Sequence, residues 1–561
     1  MISETDSNAR RHDLDALRAL AMLLGIVLHA ALSFYPVPIW PVHDNYQYEW
    51  LRDFVDGIHG FRMPLFFLIS GFFTAMLWRK RGLKPLILHR CKRILLPLGV
   101  GLVTIIPITW LAMTIIPSVY NAIANDRAAE ADDNSIPPDA DLWGAIYTDN
   151  VGLVQRELEN GIDADCVNQT LQVNALSYAA MVGAEDSARL LLENGADSNL
   201  PSPNDSGSSP LHCAAFMGRS EIVSILLEHG ADAGQRGRDG KPPIDATYVD
   251  IQSTRFIAQY FDIRFTDEEL HAGRQEVRRL LGGSVDDIQA DDKEAGSMPE
   301  ILALFIYLPV FHHLWFLWYL CWLVAFFALY VKAAETMRLR RLPRWLIMPP
   351  VSLIWLIPAT MLIQSLMKES FGPGTAIGIL PHPVILAYYC VFFFFGAWYF
   401  DCDDRECAAG KYWWLALPVA LLVALPLGLE FLRGQSDFAT QYIAQEYQTT
   451  VSFLCQAVYV WLMSFGLFGL FHRFCSGGSP RIRYISDSSY WLYLAHLPLI
   501  VVLQTFVQDI PLPGIIKLVL ICAICTAFLL VTYRFAIRYT IIGTCLNGRR
   551  TKPVPDIFLP K

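Results

Sequence analysis

Runs of about 20 apolar residues, separated by short charged connections, recur in both ends of this chain and are broken once by a long polar middle. A run of that length matches the ~30 Å hydrocarbon core of a bilayer, so each reads as a membrane-spanning helix. Ten spans are predicted: Leu14–Phe34, Ile58–Trp78, Ile94–Ile116, His313–Val331, Trp345–Leu366, Pro383–Phe400, Tyr412–Phe431, Val451–Phe471, Ser489–Val507 and Gly514–Ile537. A further apolar stretch, Ile301–Phe311, is too short to span and reads as an interfacial segment or a helical extension. The pattern predicts an all-α polytopic membrane bundle of ten transmembrane helices, three in residues 1–118 and seven in 299–545, followed by a tail over 546–561.

Lysine and arginine concentrate in alternate connections. Arg79, Lys80, Arg81, Lys84, Arg90, Lys92 and Arg93 separate the second and third spans. Lys332, Arg338, Arg340, Arg341 and Arg344 follow the fourth, and Arg473, Arg481 and Arg483 follow the eighth, whereas Arg52, Lys368 and Arg433 stand nearly alone on the other side. Basic connections stay in the cytoplasm, which predicts that both termini are cytoplasmic.

The polar middle repeats itself. Ala175–Asp197 (ALSYAAMVGAEDSARLLLENGAD) and Pro210–Asp232 (PLHCAAFMGRSEIVSILLEHGAD) put Gly195 and Gly230 35 residues apart, and a weaker copy ends at Gly161, 34 residues before Gly195. A degenerate fourth copy begins near Pro242. The text resembles ankyrin repeats, whose period is about 33 residues, and PLHCAA and LLEHGAD stand at the repeat's turn motifs. Residues 139–281 are therefore expected to form an inserted ankyrin solenoid of stacked helix pairs, with an exposed concave face that takes a protein partner. His212 lies in the turn-pinning motif and reads as structural. Residues 282–298, polar and acidic from Ser284 to Met298, read as the returning linker. Three crossings before the insert place it outside the cytoplasm.

Composition agrees with a bilayer. Mean hydropathy is +0.35, and 54% of residues are hydrophobic against 17% charged, which excludes an ordinary soluble protein. A net charge of −9 with no basic stripe gives no footing for nucleic-acid binding. The cysteines are scattered; Cys522 and Cys525 have CxxC spacing but no second ligand pair, so they read as packing residues. The first apolar segment lacks a small-residue cleavage pattern and is expected to be retained.

That segment also carries the chemistry. Arg18 and His29 are eleven residues apart, about three whole helical turns, so they lie on one face and about 16 Å apart along the axis. An arginine and a histidine on one stripe of a membrane helix cost several kcal/mol (~2.5–3.5 per charge on insertion scales) unless they face protein or water, and so mark a functional path. The bland alternatives are a snorkelling Arg18 at the helix end and a hydrogen-bonded bundle histidine at 29.

LDALRALAMLLGIVLHA (Leu14–Ala30), HGFRMPLFFLISGFF (His59–Phe73), HRCKRILLPL (His89–Leu98), HHLWFLWYL (His312–Leu320) and ISDSSYWLYLAHLPL (Ile485–Leu499) occur in an order that resembles the acyltransferase-3 family of integral membrane acyltransferases. The resemblance is closest to its glucans-biosynthesis branch, which succinylates periplasmic glucans; the ankyrin insert departs from the family pattern. It implies transfer of an acyl group, acetyl or succinyl, from acyl-coenzyme A to a carbohydrate hydroxyl. Arg18 and His29 match the family's Arg-x10-His pair, and Arg90 and Arg93 match its Arg-x-x-Arg motif at the cytoplasmic mouth of the third span. Imidazole, with an ordinary pKa near 6.5, suits removal of the hydroxyl proton. Two arginines one turn apart can grip coenzyme A phosphates. Arg18 would hold the donor or polarise its thioester, oriented by Asp15.

Secondary candidates are His59 and Arg62, one turn apart near the outer end of the second span, and His313, Tyr493 and His496; their rival reading is a packed polar core. His382, between two prolines, reads as a helix start, and Ser486–Ser489 as N-capping. No Gly-rich phosphate loop, HExxH or GxSxG is present, so no permanent cofactor or metal is implied. The competing functions are a transporter of an acylated glycan and an ankyrin-based membrane scaffold. A transporter should show repeated halves and broken helices, and neither is visible in the sequence.

Overall fold

The computed structural model describes residues 11–548 apart from 36–39, 45, 132–139, 169, 170, 172, 204–206, 238, 239, 250, 252, 253, 255, 256, 259–262, 264, 283–309, 368–370, 376 and 434–441. In chain order its principal helices begin with α1 (His12–Ala31), α2 (Glu49–Arg81) and α3 (Leu83–Pro117). The insert comes next, with α4 (Ala140–Tyr147), α5 (Val151–Glu159), a two-strand antiparallel ladder of β1 (Val167–Asn168) and β2 (Val173–Asn174), α6 (Ala175–Val182), α7 (Glu185–Glu193), α8 (Pro210–Phe216), α9 (Ser220–Glu228) and α10 (Asp267–Leu280). The second membrane part holds α11 (Trp315–Thr336), α12 (Val351–Ser365), α13 (Pro383–Asp401), α14 (Trp413–Arg433), α15 (Gln445–Cys475), α16 (Pro480–Val507), α17 (Gly514–Thr532) and α18 (Ile541–Asn547). The chain divides into two units, Met1–Ala122 with Glu300–Lys561, and Ile123–Pro299.

Among the described residues nine helices are long and apolar enough to cross a membrane, so this is an integral membrane protein. The expected fifth span, Trp345–Leu366, is different. It forms a single turn at Arg344–Ile347, the pair Pro349–Pro350, and the 15-residue α12, about 22 Å of helix against a core of ~30 Å. The loss is at its start: α12 ends at Ser365, one residue before the expected end, while Pro349 and Pro350, which lack an N–H, interrupt the helix ahead of Val351. Residues 371–375 fold into the bundle as irregular backbone with protein partners: the Gly372 N–H donates to Gln456 Oε1 at 2.9 Å, and Tyr389 Oη to the Gly374 carbonyl at 3.4 Å. Irregular backbone at membrane depth is tolerated only where protein or a cavity satisfies it. The start of α12 lies beside the end of α13, where Arg344 pairs with Asp404 at 3.4 Å.

Several helices exceed their apolar windows, because lysine, arginine and glutamate propagate a helix well. α2 begins at Glu49 and α3 at Leu83, so Arg90 and Arg93 sit inside α3, Arg90 just before a wider π turn at Cys91–Leu95 and Arg93 within it. α16 begins at Pro480 with Ser479 before it, which corrects the reading of Ser486–Ser489 as a cap: they are buried inside the helix, where Ser488 and Ser489 donate back to the carbonyls of Ile485 and Ser486. The stretch 301–309 and the linker 284–298 lie outside the described residues, as does the tail beyond 548.

Close helix packing comes from small residues, since lipid offers no hydrophobic drive between helices. At the crossing of α2 and α13 a side chain on Gly71 would strike the Phe393 carbonyl, and one on Gly396 the Leu68 carbonyl. Ion pairs fix the two ends of α2: Arg79 with Asp401 at 2.6 Å, and Arg433 with Asp53 and Asp56.

In the insert, α4/α5, α6/α7 and α8/α9 are three successive helix pairs, and the fourth, degenerate copy becomes a 3-10 turn at Pro243–Tyr248 and the longer α10. His212 is structural: its Nδ1 faces Ser209 Oγ at 2.8 Å in a capping box, and Nε2 donates to the Lys241 carbonyl at 3.1 Å. Burial pushes the Cys213 thiol up to about 12, as a packing residue requires.

Candidate active site

A cavity of about 160 Å³ lies inside the membrane unit, walled by α1, α2, α11, α16 and the segment that follows α12. His29 on α1, His59 and Arg62 on α2, His313 just before α11, and Tyr493 and His496 on α16 all line it. Met22, Gly25, Met63, Phe66, Trp315, Phe316 and Thr375 complete most of an otherwise apolar wall. The secondary candidates of the sequence thus converge on one chamber with His29.

Hydrogen bonding fixes the imidazole tautomers. His496 Nδ1 faces the carbonyls of Tyr493 and Leu492 at 2.8 and 3.1 Å, and carbonyls only accept, so Nδ1 carries the proton. His496 Nε2 is then an acceptor. It stands 3.0 Å from His29 Nδ1, which must donate to it. His29 Nε2 therefore keeps its lone pair, the arrangement a general base needs. His313 Nε2 donates to the Leu494 carbonyl at 3.1 Å, and His59 Nε2 to the Pro373 carbonyl at 2.8 Å. Tyr493 Oη donates to the His313 carbonyl at 2.6 Å, tying α16 to the start of α11.

The backbone behind His29 is held as firmly. Gln504, two turns beyond His496 on α16, donates through Nε2 to the carbonyls of His29 and Ala30 at 3.1 and 3.2 Å and accepts from Trp40 Nε1 at 2.8 Å. Trp40 stacks on the His29 ring with centroids 5.9 Å apart. The segment carrying Trp40 is pinned by a buried pair, Lys517 Nζ to Asp44 Oδ2 at 2.8 Å.

Arg62 occupies the space that a side chain at Gly25 would need, with Nη1 overlapping the place where that Cβ would be. Gly25 is one turn before His29, so α1 lacks a side chain where the α2 guanidinium enters. Arg62 makes no ion pair or hydrogen bond among the described residues, and its Nε is buried without a partner. A lone cation at such depth costs about 3 kcal/mol on insertion scales, which a purely structural site would avoid.

Arg18 is not in the cavity. Its Nη2 donates to Ser486 Oγ at 3.1 Å and pairs with Asp15 at 3.5 Å, three turns from His29 on the same helix. A role in polarising a bond held beside His29 is therefore not supported by its position. It joins a different group: Arg18, Arg90 and Arg93 lie within electrostatic range of one another. Arg90 Nη2 donates to Thr74 Oγ1 at 2.7 Å, while the Nε atoms of Arg18 and Arg90 are buried without partners. Three guanidinium groups, of which Arg18 pairs with Asp15, suit an anion such as a phosphate.

Sequence reasoning passed over Gly25, Gln504 and Thr375, and a tryptophan near a span end, Trp40, reads from sequence as an interface anchor. A glycine one turn before His29 on the same face was a readable sign that something enters there. Thr375 reaches the cavity on the irregular segment after α12, and no local pattern announces that.

Residues 11–127 and 282–534, well over half of the chain, match the family described as Acyltransferase domain, and residues 142–236 match ankyrin repeats in three copies. The chain belongs to that acyltransferase family and carries an ankyrin insert within the domain. Among curated relatives it is similar to glucans biosynthesis protein C of Escherichia coli, 41% identical over 99 residues, and of Shigella dysenteriae serotype 1, 40% identical over 99 residues; each match covers 18% of this chain and 24% of the relative. The protein of the same name from Salmonella paratyphi B is 39% identical over 107 residues, 19% of this chain and 27% of the relative. The chain thus spans about a quarter of the length of the curated relatives it matches.

Proposed function

We propose that this protein is a membrane O-acyltransferase that moves an acetyl or succinyl group from acyl-coenzyme A to a carbohydrate hydroxyl, with His29 as general base. The observation that carries the reading is the contact of His29 Nδ1 with His496 Nε2 at 3.0 Å, which leaves Nε2 as the acceptor on a residue that lines a chamber inside the bundle. The hydroxyl oxygen attacks the thioester carbon while its proton passes to His29 Nε2. Collapse of the tetrahedral intermediate breaks the C–S bond, and the departing thiolate takes that proton back, leaving an ester and free coenzyme A.

Arg18, Arg90 and Arg93 would hold the donor's phosphates, and the apolar wall would take the acyl chain. In the inner membrane, basic connections and termini would face the cytoplasm, and the insert, following three crossings, the other side. The pairing of Arg344 with Asp404 supports α12 and the segment after it entering and leaving on one side with α13, which keeps the crossing number even. The ankyrin repeats would engage a protein partner.

The test is transfer of label from radiolabelled acyl-coenzyme A to a periplasmic glucan by the full-length protein in proteoliposomes. His29→Ala should lower kcat by about 10²–10⁴-fold with an unchanged melting temperature. Full transfer by a folded His29→Ala protein would remove this mechanism.

A further inference from the structure

The general base accounts for one half of an acyl transfer. As the hydroxyl attacks, the carbonyl π electrons move onto oxygen, and in a water-poor chamber that new charge is costly unless a donor is already aimed at it. Among the described residues the cavity holds one fixed positive group for this, Arg62, and no acidic residue lines it. Its Nε has no partner, and no ion pair or hydrogen bond among the described residues occupies the rest of its fork. Gly25 sets its position relative to the base. The guanidinium fills the space above Gly25, and Gly25 and His29 are one turn apart on α1, about 6 Å. A guanidinium over one of these positions and an imidazole on the other can bracket a single tetrahedral carbon, with a reacting atom ~3 Å from each.

We propose that Arg62 is a catalytic residue that receives the oxyanion formed at the acyl carbon, opposite His29 across the cavity. The assignment rests on the acyltransferase reading above and adds the second half of its chemistry. Arg62 donates hydrogen bonds to the oxygen as the C–O bond to the acceptor forms, then releases it when the carbonyl reforms and the C–S bond breaks. No proton leaves the guanidinium at any step. Arg18, in the separate arginine cluster, acts on the donor's phosphates and not on this oxygen.

The experiment compares kcat and KM of the full-length wild type, Arg62→Gln and Arg62→Lys in proteoliposomes, with acetyl-coenzyme A and succinyl-coenzyme A as donors. An oxyanion role predicts that Arg62→Gln lowers kcat by about 10²–10³-fold with either donor while the donor KM stays within about threefold. Arg62→Lys should recover about a tenth of wild-type kcat, because it keeps the charge and loses the fork. A rise in KM confined to succinyl-coenzyme A would overturn the proposal in favour of a permanent carboxylate partner. Unchanged kcat in folded Arg62→Gln would also overturn it. Gly25→Ala supplies an independent variant that leaves Arg62 in the chain: the added methyl displaces Nη1, and kcat should fall at least tenfold with the folding transition intact. Wild-type protein that transfers from neither donor would instead refute the acyltransferase reading itself, an outcome distinct from any difference between variants.

Discussion

Arg274 of the insert and Arg62 of the membrane unit are both buried, yet their surroundings are opposite. Arg274 donates through Nε and Nη2 to the Phe216 carbonyl at 2.9 and 2.6 Å, through Nη1 to the Val249 carbonyl at 2.5 Å, and through Nη2 to Thr254 Oγ1 at 2.8 Å. Arg62 has no such partner among the described residues. The histidines divide the same way. Both nitrogens of His212 are engaged within the insert, whereas His29 uses one on His496 and lines a cavity. A buried polar group with its valences filled is holding a fold together; one left open toward a chamber is waiting for a ligand.

That contrast can be broken experimentally, beyond the loss already expected for His29→Ala. The largest effect on stability belongs to Arg274→Ala, which strands two carbonyls and should cost the insert about 2–4 kcal/mol, read as a lower midpoint in denaturant titration followed by limited proteolysis. Acyl transfer per folded molecule should stay within twofold, and a collapse of transfer in folded protein would mean that the two arginines do not differ in kind. Next comes His496→Ala, which frees His29 to adopt either tautomer. A loss of about 10–100-fold in kcat is expected, with partial rescue by His496→Gln, whose carbonyl can still accept from His29 Nδ1. Arg90→Ala should raise the KM for acyl-coenzyme A about tenfold and leave kcat near wild type, separating phosphate binding from chemistry in initial-rate assays. The smallest effect is that of Ser209→Ala, which removes one side of the capping box and should lower insert stability by about 1 kcal/mol without altering transfer.

The membrane helices and the repeats were legible because each depends on short-range pattern. Apolar length marks a span, and a glycine returning near every 35th residue marks a repeat. Charged flanks blurred the ends: α2, α3 and α16 run past their apolar windows because the adjoining arginines, lysines and glutamates are helix formers. α12 alone is shorter than expected, because Pro349 and Pro350 break its first turns; the segment beyond it is held by contacts made far away in sequence, where Gly372 meets Gln456 and Pro373 meets His59. The candidate site was half visible. His29, His59, Arg62, His313, Tyr493 and His496 were all marked as polar groups in apolar text, but nothing local said that they share a chamber.

Arg18 and Arg62 show where the boundary falls. The sequence by itself determined that both are arginines on membrane helices, that Arg18 shares a stripe with His29, and that an ankyrin array interrupts the bundle, since all of this comes from the helical period and the repeat. It could not decide which arginine meets His29. The helical period orders residues around one axis only, and the rotation of α2 against α1 is set by packing between helices, here by the gap left at Gly25. Tertiary structure alone sent Arg62 to the imidazole and Arg18 to the other arginines.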